Sequence, residues 1–183
     1  MRPGLPWRRL APPVVSLLVF MGAVALFDRP LLFPARADAP LGEEEQERIL
    51  GALSDFQRVY KDFFVTAGGV SMLDACPATT EVKHRVFTDI GFLRDAGLVL
   101  VQDLAQVTVL GVRRDGPAGA EVRVYEEWNY AYRRIADGSV ARDVQGLGQG
   151  LRYALRREGT RWLVAGWIPE EGSRPQVDEG FKW

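Results

Sequence analysis

The chain has 183 residues, 23 of them Lys or Arg and 24 Asp or Glu, enough for one domain built around one core. Setting aside the charged residues of the first 37 leaves a body of about −5, without the clustered cations that a phosphate backbone demands, which argues against a nucleic-acid partner. Cys76 is the only cysteine, so no intramolecular disulfide can form and stability must come from packing.

The N-terminus reads as an export leader. Arg2, Arg8 and Arg9 precede an uncharged apolar run over residues 14–27, a leader helix that at 1.5 Å per residue covers about 21 Å, short of the roughly 30 Å of a hydrocarbon core. That length suits a signal peptide, and Ala35-Arg36-Ala37 supplies a small-x-small cleavage pattern that would release a chain starting at Asp38. Extending the run back to Leu10 gives a segment able to cross a thin bilayer with Arg8 and Arg9 retained inside. Both readings, residues 1–37 as signal peptide or as membrane anchor, place the rest of the chain outside the cytoplasm.

A turn-rich linker, 38–42, leads into Glu43-Glu44-Glu45-Gln46-Glu47, negative charge suited to the first turn of a helix. Ile49, Leu53, Phe56, Tyr60 and Phe63 then recur at helical spacing, predicting an amphipathic helix to about Val65, closed by Gly68 and Gly69. Residues 70–75 suggest one or two further turns before Pro77. A second long helix follows, capped by Thr79 or Thr80 and striped by Val82, Val86, Ile90 and Leu93, ending near Gly97. His84 lies opposite that stripe without a second ligand at metal spacing, so no metal site is expected. Cys76, with no neighbouring base, reads as a buried structural thiol.

From Leu98 the period changes from 3.6 to two. Residues 104–113, 121–135, 140–157 and 160–168 read as four antiparallel strands, with Asp103 in a loop or cap and Asp137-Gly138 as a hairpin signal. Gly146, Gly148 and Gly150, at every second position, predict a bend or bulge. Residues 169–183 read as a flexible tail, whose Phe181-Lys182-Trp183 could dock on a partner. The layout is α+β: N-terminal helices packed on a strongly curved, mostly antiparallel four-stranded sheet over 43–168.

The last hairpin, from Gly150-Leu151-Arg152-Tyr153 through Glu158-Gly159 to Arg161-Trp162-Leu163-Val164, resembles the closing hairpin of the nuclear-transport-factor-like α+β cones. Within them the chain is most similar to the IMS-like domain of plastid-division proteins and of exported or anchored bacterial proteins. The resemblance implies a non-enzymatic domain that binds a protein partner in the envelope, with no cofactor and no catalytic residue to carry over.

Some cones are enzymes, and one constellation here could serve as a site. Strand alternation puts Val122, Val124, Glu126, Trp128, Tyr130 and Tyr132 on one face and Tyr125, Glu127 and Asn129 on the other. Glu126, alone in an apolar row, could act as a base with Tyr130 as hydrogen-bond donor to an oxyanion. The competing expectation pairs Glu126 with Arg152 or Arg156. For partner or ligand binding the candidates are Trp128, Tyr130, Tyr132, Trp162 and Trp167. No Gly-rich phosphate loop opens a helix, and one surface His leaves no Ser-His-Asp triad.

Overall fold

The computed structural model describes residues 40–65 and 70–170, all within the unit 32–177. The expected leader and cleavage site, Gly68, Gly69 and the expected tail from Glu171 lie outside the described residues. Helix α1 spans Glu43–Val65, α2 Val70–Ala75 and α3 Thr80–Asp95. Three glutamates occupy the first turn of α1, where its exposed N–H groups favour them. Leu41, at the end of the expected linker, packs against the core.

Four strands follow: β1 Leu98–Arg114, β2 Gly119–Arg134, β3 Val140–Glu158 and β4 Arg161–Pro169. They form one antiparallel sheet in chain order, as short hairpin loops require. β1 starts six residues before the expected 104, because Leu98 and Leu100 already pack on the core while Gln102, a polar residue in the inward row, masks the alternation. Asp103 consequently lies within β1, opposite Asn129, rather than in a loop. Pro169 closes β4 against Leu151, and Glu170 is still held, its N–H on Gly150 O and its carboxylate against Arg123. Of the expected tail, Pro169 therefore belongs to the sheet and Glu170 is tied to it.

Each register shift is a bulge that bends its strand. The shift between Trp128 and Tyr130 coincides with Gly146, whose φ is +64° and whose N–H donates to Asn129 Oδ1 at 2.8 Å. An L side chain is strained there, and Gly146→Ala is expected to cost about 1–2 kcal/mol in chemical denaturation. Gly148 serves a different end. A Cβ on it would lie 1.9 Å from Tyr125 Oη, so the missing side chain is the space that Tyr125 occupies.

The core lies between the helices and one face of the sheet. Ile49, Leu53, Phe56, Val59, Phe63 and Phe64 of α1 and Val82, Val86, Ile90 and Leu93 of α3 meet Val122, Val124, Leu151, Tyr153, Leu155, Trp162 and Val164. Cys76 is buried among them and its thiol is pushed up to about 11 by burial, which makes it a packing group. His84 is exposed.

Candidate functional site

Glu126 sits at the centre of the inward row of β2, 1% exposed. Among the described residues it is paired with no arginine. Its Oε1 accepts from Gln57 Nε2 at 2.6 Å and from Tyr153 Oη at 2.8 Å, and its Oε2 from Trp128 Nε1 at 2.7 Å. Arg152 and Arg156 point to the opposite face, where Arg152 lies 3.8 Å from Glu121 and Arg156 binds Glu158. The reason is strand parity. Arg152 stands opposite Arg123, on the face away from the helices, whereas Gln149 stands opposite Glu126.

Three elements thus converge on one carboxyl group: α1 through Gln57, β2 through Trp128 and β3 through Tyr153. Burial raises the Glu126 pKa, and the hydrogen bonds from Trp128, Tyr153 and Gln57 pull it back in part. Burial, reinforced by the charge on Glu126, lifts Tyr153 well above the ordinary phenol value, so Tyr153 stays a neutral donor. All three donors suit an acceptor with no proton of its own, and both carboxyl oxygens are engaged.

Aromatic rings wall in this group. Phe56 packs against Tyr60, Tyr153 and Trp167 at centroid distances of 5.4, 6.3 and 5.6 Å, and Tyr60 lies edge-on to Phe64, Trp128 and Trp167. Arg85 of α3 stacks over Trp167 at 5.4 Å, a cation–π contact. Burial raises Asp89, one turn further along, with Arg85 opposing.

Tyr130 is not brought to Glu126. Four residues along an extended strand separate them by about 13 Å, and Tyr153 supplies the phenol that Glu126 binds. Tyr130 and Tyr132 instead pack on each other at 5.8 Å, half-buried, near Arg142; burial pushes Tyr132 up to about 12. Of the other candidates, Trp128 and Trp162 are buried and Trp167 is half-buried in the aromatic wall. The exposed large apolar residues lie elsewhere, notably Phe87, Phe92, Tyr125 and the Val107-to-Leu110 stretch of β1. Gln57 and Tyr153 escaped the sequence reading. Gln57 nevertheless carries a signal, four residues after Leu53 and three before Tyr60 on the buried stripe, where a polar side chain needs a partner.

Among the described residues no group of three or more His, Cys, Asp or Glu side chains could hold a metal ion, and no helix is long and apolar enough to cross a membrane.

No protein-family model and no curated protein matches the sequence. Among solved structures the chain is similar to the intermembrane space region of the chloroplast protein ARC6, at 16% identity and a TM-score of 0.57, over 72% of this chain and 98% of that one. Looser matches include an NTF2-like protein of unknown function from Prochlorococcus (15% identity, TM-score 0.41, 75% of this chain and 97% of that one). A ketosteroid isomerase-like protein from Erwinia carotovora is comparable (17%, TM-score 0.42, 69% and 95%). At such identities the likeness concerns fold alone, and it rests on the first match: the chain shares the α+β fold of the ARC6 intermembrane space region.

Proposed function

We propose that this chain is an exported or membrane-anchored, non-enzymatic interaction domain of the cell envelope that binds a protein partner. The observation that carries the reading is the state of Glu126. A general base needs a free oxygen within reach of a substrate proton, whereas both oxygens of Glu126 are taken by neutral donors inside an aromatic wall. Such a group ties α1 to β2 and β3 and serves the fold. Support for the location comes from the basic-then-apolar leader and from the cone fold shared with the region of ARC6 that lies in an intermembrane space.

Affinity capture of the tagged full chain from solubilised envelope tests the reading directly. A defined protein recovered in near-stoichiometric amount, and lost when exposed residues such as Phe87 or Phe92 are changed to Ser, is the expected result. Saturable binding of a small molecule that Glu126→Gln abolishes, with no protein recovered, would instead establish the enzyme or ligand-binder alternative built on Glu126.

A further inference from the structure

The two edges of the sheet are treated differently. On β4 the outer edge is bridged at Val164: Thr79 N–H donates to Val164 O at 2.9 Å and Val164 N–H to Pro77 O at 2.8 Å, so the segment before α3 pairs there. β1 is the opposite edge. Among the described residues no backbone group from Leu104 to Val112 is hydrogen-bonded on the side away from β2.

Apart from its two bulges, this edge lacks the usual protection. Between Asp103 and Arg113 it reads Leu-Ala-Gln-Val-Thr-Val-Leu-Gly-Val, with no charge and no proline, and every residue from Ala105 to Leu110 is exposed. Edge strands that must stay single carry charges or prolines for this purpose. The part of β3 that extends past the end of β4 does so, with Arg142, Asp143 and the bulge at Gly146.

We propose that the β1 edge pairs antiparallel with the β1 edge of a second copy of this chain, about a two-fold axis through Thr108. Thr108 then faces its own counterpart, Val107 faces the second copy's Val109, Leu104 its Val112 and Asp103 its Arg113. Faces match throughout. Leu104, Val107, Val109 and Val112 stand opposite Trp128, Glu126, Val124 and Val122, the helix-side row of β2, whereas Asp103, Thr108 and Arg113 stand opposite Asn129, Tyr125 and Glu121, on the other side. The bulges preserve the register, because one falls after Leu104 and the other after Val109, so each half of the paired stretch meets one extra residue on either strand.

Charge selects this register. Asp103 is 70% exposed, with Lys61 at 3.7 Å, and Arg113 is 54% exposed, holding Glu121 through Nε and Nη2 and leaving Nη1 for a second carboxylate. The two-fold axis makes the Asp103–Arg113 pair twice. Sliding the copies by two residues sets Asp103 against Gly111 or against Asp115, and sliding by one turns the valines to the wrong face. The interface is isologous and closes on itself, so it yields a dimer and leaves no new edge. This inference stands apart from the proposed function, since failure of self-pairing leaves binding of a different partner untouched.

The test is disulfide trapping of the full chain in detergent micelles. Residues facing each other across antiparallel strands have Cα atoms about 4.5–5.5 Å apart, inside the range a disulfide spans, so Thr108→Cys is expected to cross-link two copies at least tenfold faster than Ala118→Cys, a control in the exposed β1–β2 turn. Cys76 is buried and stays out of the reaction. Asp103→Arg, at an exposed position, should return the Thr108→Cys rate to that of the control. Equal rates for the two cysteine variants would overturn the proposal. So would a Thr108→Cys variant whose new thiol is shielded from thiol reagents while the chain remains monomeric, which would assign the edge to a different strand. Cross-linking unaffected by Asp103→Arg would overturn the register.

Discussion

Truncating Glu126 to alanine is expected to cost about 3–5 kcal/mol of stability, among the largest effects of any single change in the domain. The substitution opens space in a packed interior and leaves the Gln57 amide, the Trp128 indole N–H and the Tyr153 hydroxyl without their acceptor. Glu126→Gln separates the two causes. It keeps the volume, but its amide N–H₂ must face at least one of three donors, so a loss of about 1–3 kcal/mol is expected from the mismatch alone. Urea denaturation of the two variants measures both.

The same residue sets a pH dependence of definite sign. Burial raises the Glu126 pKa in the folded domain above its ordinary 4.5, so the folded state holds a proton at pH values where the unfolded chain has released it. Stability from this group is therefore fully present below 4.5, declines as pH rises through the folded-state pKa and is level above it. Subtracting the unfolding free energies of Glu126→Gln from those of the parent should give a curve that falls from about pH 4.5 upward. A difference that is flat from about pH 4.5 to 8 would show that the three donors outweigh burial.

Phe56→Ala is the second large effect, about 3–5 kcal/mol. Phe56 is 2% exposed and touches Tyr60, Tyr153 and Trp167 at once, so its loss removes apolar burial and loosens the ring that positions the Tyr153 hydroxyl. The two sites are therefore coupled. In a double-mutant cycle Phe56→Ala and Glu126→Gln should deviate from additivity by about 0.5–3 kcal/mol; strict additivity would mean that Tyr153 holds its place without Phe56. Thermal unfolding of the four proteins is sufficient.

Much of the fold was legible in the chain because the rules that govern it are local. The stripe from Ile49 to Phe63 specifies a helix whichever partner it later meets, and Asp137-Gly138 specifies a hairpin because Asp137 accepts the Ser139 N–H within the turn itself. Strand alternation likewise put Glu126 and Trp128 on one face. The limits appear where a contact joins residues far apart in sequence. Gln57 and Glu126 lie on different elements, well separated along the chain, and no periodicity could announce that an amide on α1 would meet a carboxyl on β2. The expected pairing of Glu126 with Arg152 or Arg156 failed for a related reason: many arginines lie nearby in sequence, but only strand register decides which of them share its face.

What the sequence determined by itself is the order of helices and strands and the apolar row around Glu126, since each depends on spacing within one segment. Tertiary structure alone decided which side chains hydrogen-bond to Glu126, which aromatics are wall and which are surface, and which sheet edge is left open. The physical cause is common to all three. A buried polar group takes its partners from whatever elements the packing brings together, and an edge is free or bridged according to where the chain passes, as residues 77–79 bridge β4 at Val164 and no backbone bond among the described residues reaches the middle of β1 from outside.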